Sequence, residues 1–226
     1  MSKDGLFDGF AQVGKALANG RRVELIDVLA QGERHVEALA LELDQSVANT
    51  SHHLHVLARA GLVTTRRDGN RIFYSLASER VASLWQLVQA VASDHVEDLD
   101  RLANAYLGGR DGVDVVSRDE LANRLRTGDA VVLDVRPEVE YAAGHIAGAR
   151  SVPVDQVRLH LDALPKDVKI VAYCRGPFCV YADEAVRELV RNGRSASRLA
   201  GGFPEWRTAG LPVEHGMVDA SSHPDA

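Results

Sequence analysis

The chain has 226 residues, 46% of them hydrophobic and 26% charged, with a formal net charge of −6. That is an ordinary globular composition, long enough for one large domain or two modest ones that each bury a core. The acidic balance argues against a protein that coats nucleic acid without sequence preference, although specific binding needs only a local basic surface. No run approaches the roughly 20 apolar residues that cross a bilayer. Met1-Ser2-Lys3-Asp4-Gly5 does not open a secretory signal, so the cytoplasm is the expected compartment and no membrane partner is expected. Two cysteines, Cys174 and Cys179, are too few for a disulfide framework, and their closeness points to thiol chemistry.

Phe10 to Leu29 reads as one long helix with Leu17, Val23, Leu25, Ile26 and Leu29 on its apolar face. Val36 to Leu43 predicts a short helix, and Asp44-Gln45-Ser46 a polar break. Val47 to Ala60 predicts a second helix, capped by Ser46 or Asn49 and ended by Gly61. A helix, tight turn and helix in this order present the second helix to the major groove of DNA. Leu62 to Leu76 then gives two β-type runs about Asp68-Gly69, a hairpin signal, with Arg66, Arg67 and Arg71 at or beside its tip. Such a wing reaches phosphates, which orient a protein without reading sequence.

The candidate DNA contacts are therefore Ser46, Val47, Asn49, Thr50, Ser51, His52 and His55, with wing residues Arg66, Arg67 and Arg71. Neighbouring residues of a helix point to different faces, so His53 reads as packing and His52 and His55 as DNA-facing, rather than as a metal cluster. Val81 to Ala105 predicts a last long helix with more apolar surface than one small domain covers. The first and last helices of this half are thus expected to pair with a second copy, making a homodimer.

The run Leu39-Ala40-Leu41-Glu42-Leu43-Asp44-Gln45-Ser46, followed by Thr50-Ser51-His52-His53-Leu54-His55-Val56-Leu57-Ala58-Arg59-Ala60-Gly61-Leu62-Val63, resembles the ArsR/SmtB repressors, and the resemblance extends through the wing. It implies a homodimeric repressor that an inducer releases from double-stranded operator DNA. Metal-sensing members carry Cys-x-Cys at the start of the helix before the recognition helix. Here the stretch is Arg34-His35-Val36-Glu37, without a thiol, and the last helix offers only Asp94, His95, Glu97 and Asp98. No metal site and no cofactor are expected.

Leu107-Gly108-Gly109-Arg110-Asp111-Gly112 reads as a linker. The expected division is a DNA-binding and dimerisation domain at 1–107, a linker at 108–112, a second domain at 113–216 and a disordered tail at 217–226. Ala130 to Val135 and Lys169 to Tyr173 look like buried strands, and Arg118 to Arg126 and Ala182 to Asn192 like helices. That alternation predicts a parallel α/β sheet with chemistry in the loops after its strands. The predicted fold class is a mainly α winged helix-turn-helix followed by an α/β domain with helices flanking a parallel sheet.

Cys174 follows a strand and precedes a helix, a place where backbone N–H groups and the helix N-terminus supply positive potential that lowers a thiol pKa. Arg175 adds a cation, Gly176-Pro177 lets the backbone curl into a nest, and Phe178 completes the loop to Cys179. Cys179 is either a resolving thiol beside a reactive one or a buried small apolar residue.

Three segments, Val132 to Pro153, Val171 to Cys179 and Leu199-Ala200-Gly201-Gly202-Phe203-Pro204-Glu205-Trp206, together resemble a rhodanese domain. The resemblance implies that Cys174 forms a persulfide and that Asp134 and Arg136 brace the loop. Related phosphatases and arsenate reductases have a longer loop ending in Arg; position 180 here is Val, leaving an oxyanion without its clamp.

The leading expectation is a regulator that senses reactive sulfur or redox state through Cys174, with a polysulfide, persulfide or thiosulfate as donor. The alternatives are a sulfurtransferase with autoregulatory DNA binding, and an arsenic or soft-metal sensor that uses both thiols.

Overall fold

The computed structural model describes residues 2–110 and 112–216, and the expected tail at 217–226 lies outside them. The chain separates into two compact units, Met1–Val96 and Glu97–Ala226.

The first unit runs α1 (Lys3–Leu17), α2 (Gly20–Leu29), β1 (Arg34–His35), α3 (Val36–Glu42), α4 (Val47–Arg59), β2 (Val63–Asp68), β3 (Arg71–Leu76) and α5 (Glu79–His95). The single helix expected over Phe10 to Leu29 is in fact two. Asn19 is extended, and its side chain accepts a hydrogen bond from Arg22 N at 3.2 Å, which starts α2 afresh. Asn at an N-cap outcompetes a continuous helix through the weak helix former Gly20.

Asp44, at φ 49°, makes the turn between α3 and α4, and Ser46 caps α4 by accepting from Asn49 N. Gly61, at φ 71°, closes α4, with Leu62 N donating to Leu57 O and Gly61 N to Ala58 O. That pair of bonds is the left-handed helix ending that glycine permits. Leu25, Ile26, Leu29, Leu39, Leu54, Leu57 and Tyr74 form the core, and Trp85 of α5 is tied to α2 by an Nε1–H bond to Asp27 Oδ1 at 2.7 Å. β3 lies between β1 and β2, antiparallel to both, and the β2–β3 hairpin is the expected wing.

The second unit begins with α6 (Leu99–Leu107), then β4 (Val115–Val116), α7 (Arg118–Thr127), β5 (Ala130–Asp134), α8 (Glu138–Ala143), β6 (His145–Ile146) and β7 (Arg150–Ser151). A 3-10 stretch at Val154–Ala163 leads to β8 (Lys169–Tyr173), α9 (Tyr181–Arg191), β9 (Ala196–Leu199), α10 (Phe203–Thr208) and β10 (Val213–Glu214). The one long helix expected from Val81 to Ala105 therefore breaks, at Val96, which is extended. Carboxylates Glu97, Asp98 and Asp100 oppose the dipole of a helix that ends there and favour one that begins there. Asp98 also pairs with Arg101 at 3.1 Å within the first turn of α6.

Five strands in the order β4-β9-β8-β5-β7 form the parallel sheet. Its strands bury both faces. Leu133, Ile170 and Ala172 face α9 and the 3-10 stretch, while Val132, Val171 and Tyr173 face α7 and α10. That alternation has the two-residue period of a strand. Continuing it past Tyr173 sets Cys174 on the α9 side.

Candidate functional site

The reader helix α4 presents Ser46, Val47, Asn49, His52 and His55 to the exterior, with Ser51 half-buried. Thr50 departs from the expectation: it is 1% exposed, and its hydroxyl has no hydrogen-bond partner. It lies one and two turns before Leu54 and Leu57, on the stripe that packs into the core, so it supports the helix instead of touching DNA. His53 is half-buried, and burial beside Arg21, Arg22 and His52 pushes its pKa down, in keeping with packing.

The wing arginines are not equivalent. Arg66 is engaged by Glu33 at 2.7 Å and Asp68 at 3.2 Å and lies over the Phe73 ring at 4.9 Å. Two carboxylates neutralise its charge locally, so it braces the hairpin. Among the described residues Arg67 donates to Gly69 O at 3.1 Å and meets no carboxylate, and Arg71 is exposed beside the tip.

On the outer surface of this unit, Leu6, Phe7 and Phe10 of α1 and Leu87, Val88 and Val91 of α5 are exposed, with Phe10 65% and Leu87 63% accessible. Apolar stripes on the two helices expected to pair thus stand uncovered in a single chain.

In the second unit, the loop between β8 and α9 curls around two sulfurs. Cys174 is 2% exposed and Cys179 half-buried. Cys174 Sγ donates to Gly176 O and Cys179 O, both at 3.7 Å. The N–H groups of Gly176 and Ala182 favour a negative charge on Cys174, and those of Arg175 and Tyr181 favour one on Cys179. Two of these four belong to the loop and two to the first turn of α9, so nest and helix N-terminus act together.

The expected lowering of the Cys174 pKa is corrected: burial pushes that thiol well up, and the hydrogen bond it shares with Cys179 pulls Cys179 down. One negative charge spread over two neighbouring sulfurs settles on the less buried one, and the protons belong to the pair. The nest is present; desolvation of the deeper sulfur outweighs it.

Behind the loop, Asp134 and Arg136 are fully buried and joined bidentately, Nη2 to Oδ2 at 2.6 Å and Nε to Oδ1 at 3.0 Å. Arg136 also donates to Gly144 O, and Tyr173 Oη donates to Asp134 Oδ2 at 2.6 Å. Tyr173 immediately precedes Cys174, so this network fixes the strand end from which the loop departs. Arg175 pairs with buried Glu140, at 2.5 and 3.0 Å, and stacks over Tyr181, while its charge also favours a thiolate on Cys179. Phe203 N donates to Cys174 O at 3.0 Å. A Cβ on Gly202 would run into Cys174 O and Gly176 N, so only glycine lets α10 approach the loop this closely.

Four participants escaped the sequence reading: Glu140, Asp183, Arg198 and Arg110. Asp183 had a legible signal, being a carboxylate on the same helix face as Ala182, Val186 and Leu189, where a buried charge requires a partner. That partner is Arg110 of the expected linker, at 2.7 Å, with Arg198 at 3.3 Å from the other oxygen.

Two family models match separate parts of the chain. Residues 19–65 match the model of the bacterial regulatory protein arsR family, and residues 117–209 that of the rhodanese-like domain. The HTH-type transcriptional regulator Rv0324 of Mycobacterium tuberculosis is 47% identical over 214 residues, covering 95% of this chain and 94% of that one. A sulfurtransferase of Allochromatium vinosum is 31% identical over 103 residues, 45% of this chain and 94% of its own. Among solved structures, the homodimeric winged helix-turn-helix DNA-binding domain (fragment 1–100) of Mb0332 from Mycobacterium bovis is 48% identical, covering 43% of this chain and 92% of its own, at a TM-score of 0.41. No described helix is long and apolar enough to cross a membrane. With one regulator matched along nearly the whole chain and both domain models in place, the chain belongs to the HTH-type transcriptional regulators of the arsR family, with a rhodanese-like domain behind the DNA reader.

Proposed function

We propose that this regulator binds operator DNA as a homodimer through α1 and α5, and that sulfane sulfur accepted on Cys174 changes its affinity for that DNA. The observation that carries the reading is the shared cradle: two thiols in one backbone nest at the N-terminus of α9, in the same chain as a winged helix-turn-helix.

Loss of one proton from the pair to solvent leaves one thiol proton and one negative charge, which the loop favours on Cys179. Cys174 Sγ attacks the outer sulfur of a persulfide R–S–SH while its proton passes to the Cys179 thiolate. The new S–S bond forms as the R–S bond to that sulfur breaks. The products are Cys174–S–SH, Cys179–SH and R–S⁻. Cys179 can then attack the inner sulfur, forming a Cys174–Cys179 disulfide and expelling HS⁻, which leaves as H₂S with the Cys179 proton. Both steps need the sulfurs adjacent, and the loop that carries both is closed by Cys174 Sγ donating to Gly176 O and Cys179 O.

The test is intact-mass measurement after polysulfide treatment of wild type, Cys174→Ser and Cys179→Ser. Wild type is expected to end as the disulfide, about 2 Da lighter than the reduced protein, because each thiol gives up one proton. Cys179→Ser is expected to hold a stable added sulfur, and Cys174→Ser none. Sulfur held on Cys174→Ser as firmly as on Cys179→Ser contradicts the assignment. A second reading, supported by the likeness to the Allochromatium sulfurtransferase, is an enzyme that turns sulfur over with unchanged DNA affinity.

A further inference from the structure

The segment read from sequence as a flexible linker is bonded to the sulfur loop. Arg110 Nε donates to Asp183 Oδ2 at 2.7 Å, and its Nη2 donates to Pro177 O at 2.8 Å and reaches Cys179 O at 3.5 Å. Beside it, Arg187 Nη2 of α9 donates to Gly109 O at 2.6 Å. Asp183 is fully buried, and Arg110 is its hydrogen-bonded cation; Arg198, at 3.3 Å from the other oxygen, lacks the geometry of a hydrogen bond.

Cys179 O faces both sides of this arrangement. It accepts from Cys174 Sγ on one side and takes the Arg110 guanidinium on the other. A thiol donates to that carbonyl, whereas a thiolate or a disulfide sulfur cannot. An S–H donor lost from Cys174 therefore leaves the carbonyls of the loop to be rearranged, and those carbonyls are what hold Arg110. Arg175, the other cation of the loop, is paired with Glu140.

We infer that Arg110 is a positioning residue that clamps the 174–179 loop to the linker, so that the chemical state of Cys174 sets whether the linker is held or released. This deepens the proposed function, since it assigns the route by which a sulfur-dependent signal leaves the second unit. A guanidinium suits the role because it bridges a carboxylate and carbonyls at once with its planar set of donors; a lysine offers one point charge. The charged and titratable groups gathered about the two sulfurs are Arg110, Arg175, Arg198 and Asp183, and the removal of Arg110 leaves buried Asp183 with only the misaligned Arg198.

The experiment uses full-length wild type, Arg110→Gln and Arg110→Lys, with two readouts. The first is the rate of alkylation of Cys179 against pH in untreated, reduced protein. Arg110→Gln is expected to move the midpoint of this profile up and to slow alkylation at pH 7 about tenfold, with Arg110→Lys in between. An unchanged midpoint in Arg110→Gln overturns the positioning role, and this arm needs no sulfur transfer. Thermal unfolding of each variant identifies a misfolded protein; if Arg110→Gln fails to fold, Arg110→Lys carries the same comparison.

The second readout is hydrogen exchange of peptides spanning 107–113, before and after polysulfide treatment, with intact mass taken in parallel. Treated wild type is expected to exchange about tenfold faster there than reduced protein, and Arg110→Gln to exchange fast in both states. Modification at Cys174 without a change in wild-type linker exchange overturns the clamp. Failure of Cys174 to react at all sinks the proposed sulfur chemistry instead, while the alkylation profile still decides whether Arg110 positions the loop.

Discussion

The two working surfaces of this chain are built in opposite ways. The expected DNA contacts of the winged helix-turn-helix stand outside a small core: Asn49, His52, His55, Arg67 and Arg71 are all exposed. The sulfur site is made of backbone, and its charged side chains face inward, with Asp134, Arg136, Glu140 and Asp183 all buried and paired with arginines or, for Arg136, with Asp134. Outside residues add their contributions and can be removed one at a time. Buried ion pairs fail together, because the removal of one partner strands the other without water. The reader is thus tolerant and leaves apolar stripes on α1 and α5 uncovered, whereas the site around the two thiols lies within one unit and is intolerant.

The largest expected effect breaks the sulfur site. Arg136→Met leaves Asp134 buried with Tyr173 Oη and the backbone N–H of Arg136 as donors but no cation. The expected loss of stability is about 3–5 kcal/mol, measured by denaturant unfolding of the second unit's transition. The double variant Asp134→Leu/Arg136→Met should lose clearly less than the sum of the two single changes. Additive losses would mean that the pair is not coupled as its geometry implies.

Next in size is the surface that a second copy would cover. Leu87→Glu places a charge in the exposed α5 stripe, where it costs nothing in the monomer. It should weaken self-association by about 2–3 kcal/mol, the scale of one buried leucine with the desolvation of a charge added. Sedimentation equilibrium reads this directly, with the unfolding midpoint of the monomer as control. An unaltered dimer would move the interface off α5.

Smallest is the wing. Arg67→Ala should weaken operator and non-specific duplexes alike and reduce the slope of log affinity against log salt by about 1 per protomer. Arg66→Ala, already neutralised by Glu33 and Asp68, should change that slope less while loosening the hairpin. Equal slopes for the two variants would remove the distinction drawn between them.

Much of this was legible in the sequence because it is periodic. The helices α3, α4, α7 and α9, the strands β5 and β8, the Gly61 stop and the wing follow from local pattern, as does Tyr173 at the end of a buried strand; the short elements α8, β9 and α10 carry too few residues to show a period. Both over-long helices fail for a local reason as well: apolar spacing runs unbroken through Asn19 and through Val96, and capping and dipole chemistry decide there instead. Thr50 is a matter of helix phase, settled by its register with Leu54 and Leu57. The partners of buried charge were harder to see. Arg110 meets Asp183 across 73 positions of chain, and Arg175 meets Glu140 across 35, so nothing local announces either pair. The order of ionisation of Cys174 and Cys179 depends on how deeply each sulfur sits, which the spacing of two cysteines does not encode.

The central claim is that sulfur chemistry on Cys174 changes DNA binding. Its most direct test is operator affinity at fixed salt, with a duplex selected from random sequence by the reduced protein. Reduced and polysulfide-treated wild type are compared beside Cys174→Ser, with intact mass taken on every sample. A coupling of 1–3 kcal/mol, about 5- to 150-fold in affinity, is the usual scale for two linked sites. The account predicts a change within that range in wild type and none in Cys174→Ser. Wild type that is fully modified at Cys174 and binds the operator as the reduced protein does would contradict it.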